Sequence, residues 1–166
     1  MTTVIFSHGK ESGPWGSKIT TLSNVASDVG FNVISVDYQD LPSPEDRITR
    51  LVDTVEEQGD EVILVGSSMG GYVSLVAAER VSARGLFLLA PALYMPNYEV
   101  QEYNYTGKTS VIHGWNDDVI PVSHSIDYAK LRNSQLLLLE DGHRLSKSMF
   151  AISPFFRNWL HPFTLN

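Results

Sequence analysis

Six short apolar runs recur along the chain: Thr3–Ser7, Asn32–Asp37, Glu61–Gly66, Gly85–Leu89, Thr109–His113 and Leu136–Leu139. Most are continuously apolar rather than alternating, which is the pattern of a strand covered on both faces. Between them, Ser17–Val29, Pro44–Gln58, Met69–Val81 and Val122–Leu131 place apolar residues at helical intervals. Pro44 suits a first helical turn, and Gly30 and Gly59 suit helix exits. A last helix is expected within Ser153–Leu160, with Pro154 at its start. Strands alternating with helices predict the α/β class, a three-layer αβα sandwich on a mostly parallel sheet. Reactive groups then belong outside the carboxyl ends of the strands, near the switch in strand order. One stretch breaks the rhythm. Ala92–Lys108 carries Tyr94, Tyr98, Tyr103 and Tyr105 with little periodicity, and reads as a long loop that serves a binding site or is disordered.

Composition narrows the partners more than the fold. With 166 residues, 43% hydrophobic and 19% charged, the chain reads as a single globular domain over 1–166. A formal charge of −7 argues against nucleic acid and against an anionic membrane surface, both of which need clustered Lys and Arg. Cysteine is absent, which removes disulfides, thiolate metal sites and cysteine nucleophiles together. Met1-Thr2-Thr3 carries no basic residue and the apolar run Val4-Ile5-Phe6 is short, so no leader is expected and the location is expected to be cytoplasmic. No internal repeat is present. Oligomeric state stays open.

Three strand exits carry chemistry. Gly66-Ser67-Ser68-Met69-Gly70-Gly71 follows one strand directly and opens a helix, which is Gly-x-Ser-x-Gly in the setting that gives it meaning. Ser68 takes the nucleophile position, and the backbone N–H of Met69 can face a developing oxyanion. A serine hydroxyl needs a base, and the base needs an orienting acid. Asp117 follows the strand Thr109–His113 at the acid position of His113-Gly114-Trp115-Asn116-Asp117; Asp118 is its rival, and His113 reads as a turn residue that orders this loop. The last strand exits into Glu140-Asp141-Gly142-His143, which offers His143 as the base. Chain order Ser…Asp…His is the one expected on this architecture. A fourth loop, Ser7-His8-Gly9-Lys10-Glu11-Ser12-Gly13-Pro14, offers the N–H of Lys10 as a second oxyanion donor. No spacing joins His8, His113 and His143 as metal ligands, so neither metal nor organic cofactor is expected.

Together these pieces resemble the α/β-hydrolase superfamily over nearly the whole chain. The likeness is closer to small bacterial esterases of the YqiA/YcfP type, which pair a His-Gly loop leading to Ser-Pro-x-Ser-x-Lys with Gly-Ser-Ser-x-Gly-Gly-Tyr. Here Ser12-Gly13-Pro14-Trp15-Gly16-Ser17-Lys18 is a near match with one added glycine, and Gly66 through Tyr72 matches without a break. The resemblance implies hydrolysis of a small ester or thioester through an acyl-enzyme. It also implies a minimal fold, because the superfamily's two leading strands are missing and six parallel strands in the order 2-1-3-4-5-6 would remain. Only Ala92–Lys108 occupies the place of the helical cap of many relatives. His8, Tyr72, Tyr94 and Trp115 are candidate substrate contacts, with core packing an equal explanation for Tyr72 and interface burial one for Tyr94. Lys10 stands where relatives commonly carry an apolar or aromatic residue, which would favour an acidic substrate. Thioesterase, amidase and peptidase share the triad, and a binding or sensing protein on a hydrolase fold is the rival class.

Overall fold

A computed structural model describes residues 1–59 and 61–165. Six strands, β1 (Thr2–Ser7), β2 (Asn32–Val36), β3 (Glu61–Ser67), β4 (Gly85–Leu89), β5 (Lys108–Gly114) and β6 (Gln135–Leu139), form one sheet. Its order is β2-β1-β3-β4-β5-β6 and every neighbouring pair is parallel. The helices are α1 (Ser17–Val29), α2 (Pro44–Gln58), α3 (Met69–Val81), α4 (Val122–Arg132) and α5 (Met149–Leu160), followed by a short 3-10 turn. This is the α/β-hydrolase architecture in its six-stranded form, and residues 92–107 hold no helix.

Burial explains the continuously apolar strands. Ile5, Leu64, Leu86, Leu88 and Val111 face one core with Leu51 of α2, most of α3 and Tyr128 of α4. Their neighbours Val4, Phe6, Ile63, Val65, Phe87 and Ile112 face the other, with Leu22 of α1 and Phe156 of α5. Side chains alternate across a strand, so a strand between two helical layers must be apolar at every position. At the N-terminal end of α3 even the helix is buried all round, since Met69 through Ala78 are buried without exception.

One expectation changes, and one open alternative is decided. Pro154 lies inside α5, which begins five residues earlier, at Met149. Proline there removes only one i→i−4 bond, and Ile152, Phe156 and Leu160 on the buried face hold the helix together. The stretch 92–107 is ordered by its own tyrosines rather than left free. Tyr103 accepts the N–H of Tyr94 (3.1 Å), Tyr105 donates to the carbonyl of Ala83 (2.6 Å), and both rings are buried in the first core. Their aromatic area replaces the helix that the sequence lacks here.

Candidate active site

The strand order reverses between β1 and β3, so their carboxyl ends and those of β4 to β6 gather the chemistry-bearing loops. Ser68 joins β3 to α3 with φ 56° and ψ −119°, a left-handed conformation that an L side chain adopts only under constraint. Constraint is visible on both sides. Its N–H donates to Leu89 of β4 (3.0 Å), and its carbonyl accepts the N–H groups of Gly71 and Ala92 (2.9 Å each). Glycine is required around it. A Cβ at Gly66 would strike the carbonyl of Gly70, and one at Gly70 would strike the carbonyls of Ser7 and His8. The turn therefore packs its backbone directly against the exit of β1.

The structure brings Ser68, His143 and Asp117 into one hydrogen-bonded chain. His143 Nδ1 lies 2.7 Å from Asp117 Oδ2, and His143 Nε2 lies 3.0 Å from Ser68 Oγ. A carboxylate can only accept, so Nδ1 carries the proton and Nε2 is left to accept from the serine hydroxyl. Asp117 is fixed from four directions. Its Oδ1 accepts the N–H groups of Val119 and Ile120 (2.8 Å each), and Oδ2 also faces His113 Nε2 at 3.0 Å. Burial of this side chain pushes its pKa up, but the bonds from His143, Ile120 and Val119 outweigh it and hold the carboxyl below its ordinary value. Asp118, the rival acid, is exposed. The loops carrying the acid and the histidine touch at Gly114, where a Cβ would strike the carbonyl of Asp141, and Asn116 N–H donates to that same carbonyl (3.0 Å).

Across the site, the His-Gly loop lies against the serine: a Cβ at Gly9 would sit 3.5 Å from Ser68 Cβ. His8 carries no accessible surface, donates from Nδ1 to the carbonyl of Gly9 (2.7 Å) and accepts the N–H of Tyr38 at Nε2 (2.9 Å). It is a frame residue. Tyr72 is equally buried, donating to Glu45 (2.6 Å) and accepting from Val100 N–H (3.0 Å), so it ties α2 and α3 to the tyrosine loop. The expectation that His8 and Tyr72 contact substrate is thus corrected, because neither has surface to offer. Trp115 is 55% exposed past β5, while Tyr94 is half-buried and packs on Tyr103 and His124.

Sequence reasoning gave three neighbours of this site less than their due. His113 is fully buried; its Nε2–H points at Asp117 and at the carbonyl of Ile120 (3.0 Å), and its Nδ1 accepts from Ser125 (2.6 Å). The signal for it was an imidazole ending a strand four residues before the acid. Arg47 is 2% exposed and donates to the carbonyls of His8, Gly9 and Leu41. It could have been noticed as a cation on the same stripe of α2 as Ile48, Leu51 and Val55. Lys18 sends Nζ to the carbonyl of Arg144 (3.2 Å), beside His143. Burial lowers its pKa to about 8, against the opposing pull of Asp117 and Asp141.

The buried imidazoles make acid stability predictable. Burial lowers the pKa of both His8 and His113 from 6.5, so an unfolded chain takes up these protons before the folded one does. Stability should therefore fall as pH drops below about 6.5, ahead of the loss due to Asp117, which is complete only once its depressed carboxyl is protonated in the folded state. Urea midpoints measured between about pH 7.5 and about pH 5 should decline, with a shallower slope in His113→Gln. A flat profile over that range would contradict the neutral, buried assignment.

Among the described residues, no group of three or more His, Asp and Glu is placed to hold a metal ion, and no helix is long and apolar enough to cross a membrane. No curated protein matches the chain. Among solved structures, a candidate hydrolase of the α/β superfamily from Xanthomonas campestris pv. campestris is 32% identical, with a TM-score of 0.90 over 96% of this chain and 98% of that one. The esterase Est1E of Butyrivibrio proteoclasticus, solved with ferulic acid bound, superposes with a TM-score of 0.81 over 96% and 88% at 15% identity. A serine hydrolase without a lid from Xanthomonas campestris gives 0.81 over 98% and 82% at 17% identity. These neighbours share the fold, and the first shares enough sequence to extend the likeness beyond it. A family model matches residues 3–136, and the chain, an α/β-hydrolase in fold, accordingly belongs to the uncharacterised protein family UPF0227.

Proposed function

We infer that this hydrolase-fold protein cleaves small carboxylic esters or thioesters, with Ser68 as nucleophile, His143 as base and Asp117 as orienting acid. One observation carries the reading: His143 bridges Asp117 and Ser68 with its unprotonated Nε2 toward the serine hydroxyl. Ser68 Oγ attacks the carbonyl carbon as its proton passes to Nε2, and Asp117 stabilises the imidazolium that forms. Collapse of the tetrahedral intermediate expels the alcohol or thiol, which takes that proton, and leaves an ester on Ser68. Water then attacks, giving one proton to Nε2 and from there to Ser68 Oγ, and the acid departs. The N–H groups of Met69, at the first position of α3, and of Lys10 receive the oxyanion. The helix-free stretch 92–107 supports an open site, which favours esters over less reactive amides that need more orienting contacts. The ferulic acid held by Est1E supports a small-molecule substrate of this kind. Trp115 and Tyr94 remain the candidate contacts.

Acid-quenched mass spectrometry tests this directly. With p-nitrophenyl butyrate, the peptide containing Ser68 should carry a butyryl group, and nitrophenol release should continue over many turnovers. Labelling of Ser68 without further turnover would instead indicate a binding or sensing protein that retains a reactive serine. Turnover with the acyl group elsewhere, or no reaction with esters and none with a fluorophosphonate, would overturn the assignment.

A further inference from the structure

Arg47 lies deep under the His-Gly loop, on a helix that contributes none of the reacting groups. Among the described residues it has no carboxylate partner within ion-pair distance; its Nε donates to the carbonyl of Leu41 (2.7 Å), and its Nη1 to those of Gly9 (3.1 Å) and His8 (3.4 Å). A buried guanidinium without a counter-ion is costly, so a chain that keeps one needs its donors. Two of the three carbonyls it serves belong to the loop that faces Ser68.

The geometry of one peptide group shows what that service does. The carbonyl of Gly9 and the N–H of Lys10 belong to the same peptide unit, and no cis bond occurs in the described chain. In a trans peptide the two point in opposite directions. Gly9 C=O is taken from one side by His8 Nδ1–H (2.7 Å) and Arg47 Nη1–H (3.1 Å). The proton must reside on Nδ1, because Nε2 accepts from Tyr38 N–H. With the carbonyl held inward by two donors, the Lys10 N–H is turned outward, on a loop so near the serine that a Cβ at Gly9 would meet Ser68 Cβ at 3.5 Å. Without them the peptide is free to flip, which would present a carbonyl to the oxyanion in place of a donor.

We propose that Arg47 and His8 act together as positioning residues that lock the Gly9–Lys10 peptide with its N–H toward the oxyanion. Arg47 also leaves a buried positive charge beside that loop, and its own low-dielectric surroundings leave that charge little screened toward the developing oxyanion. The proposal rests on the serine-hydrolase reading above, and the experiment separates the two. In wild-type protein adducted at Ser68 by a fluorophosphonate, the Lys10 and Met69 amide protons should both move downfield by NMR; an unmoved Lys10 amide overturns the proposal. Arg47→Gln should lower kcat on p-nitrophenyl butyrate about 10- to 100-fold with KM within about twofold. Arg47→Lys, which keeps the charge and one donor, should recover part of that loss. Glu45→Ala, on the same helix and bonded to Tyr72, should lower stability while leaving kcat near wild type. Folded Arg47→Gln with wild-type kcat would overturn the proposal and leave the Ser68 assignment intact. Absence of any reaction at Ser68 in wild type would instead remove the reading beneath it.

Discussion

Ser68→Ala should lose ester turnover by about 10⁴- to 10⁶-fold while remaining folded. The reason is division of labour at the turn. Backbone bonds with Leu89, Gly71 and Ala92 hold residue 68, whereas among the described residues its hydroxyl bonds only to His143. Removing Oγ therefore deletes the proposed nucleophile and leaves the turn standing. The backbone at φ 56° remains strained for alanine as for serine, so Ser68→Gly should be the more stable of the two inactive variants, by about 1 kcal/mol. Asp117→Asn belongs to the same test from the other end. The amide cannot accept from His143 and His113 in the same way, the useful tautomer of His143 is lost, and kcat should fall about 10⁴-fold with the hydroxyl in place. Side-by-side rates on p-nitrophenyl acetate and butyrate, with circular dichroism to confirm folding, decide the matter. Equal rates in wild type and Ser68→Ala would reject Ser68 as the source of that activity.

The second large effect is on folding. Gly70→Ala places a methyl group against the carbonyls of Ser7 and His8, atoms of a central strand and the loop it feeds. Neither is the yielding end of a flexible side chain, so β1 or α3 must shift, at a cost of about 3 kcal/mol or more. For a chain of this size that corresponds to a drop in Tm of about 6 to 12 °C, or to insoluble expression. Gly16→Ala is the contrast. Gly16 caps α1 with φ −61° and has nothing near its would-be Cβ, so the substitution should leave Tm nearly unchanged. Similar Tm values for the two variants would show that the close approach at Gly70 is more forgiving than its geometry implies.

Much of this was legible in the sequence, for local reasons. Strand and helix identity followed from apolar spacing, and the elbow at Ser68 from two glycines placed where backbones had to meet. Strand order followed from resemblance rather than from any property of the strands themselves. The last helix was misplaced because Pro154 was read as a start signal, whereas Ile152 and the buried face on either side carry the helix through it. For the tyrosines of 92–107 the sequence leaves open a binding loop or disorder, because aromatic residues without periodicity give no face; only tertiary packing shows Tyr103 and Tyr105 to be core.

What the sequence by itself determined is the set of local backbone shapes: six strands, the helices between them, and which residue stands at each strand exit. Those depend on neighbours a few positions apart, and such information is written in order along the chain. What only the tertiary structure decided is which of these residues share bonds. Tyr38 fixes the tautomer of His8 from 30 residues away, Arg47 reaches Gly9 across 38, and His143 reaches Ser68 across 75. His113 and Arg47 look like an ordinary turn residue and an ordinary helix cation until burial leaves their donors no water to turn to. Their acceptors then lie on other elements, because folding has brought those loops to one edge of the sheet and removed every alternative.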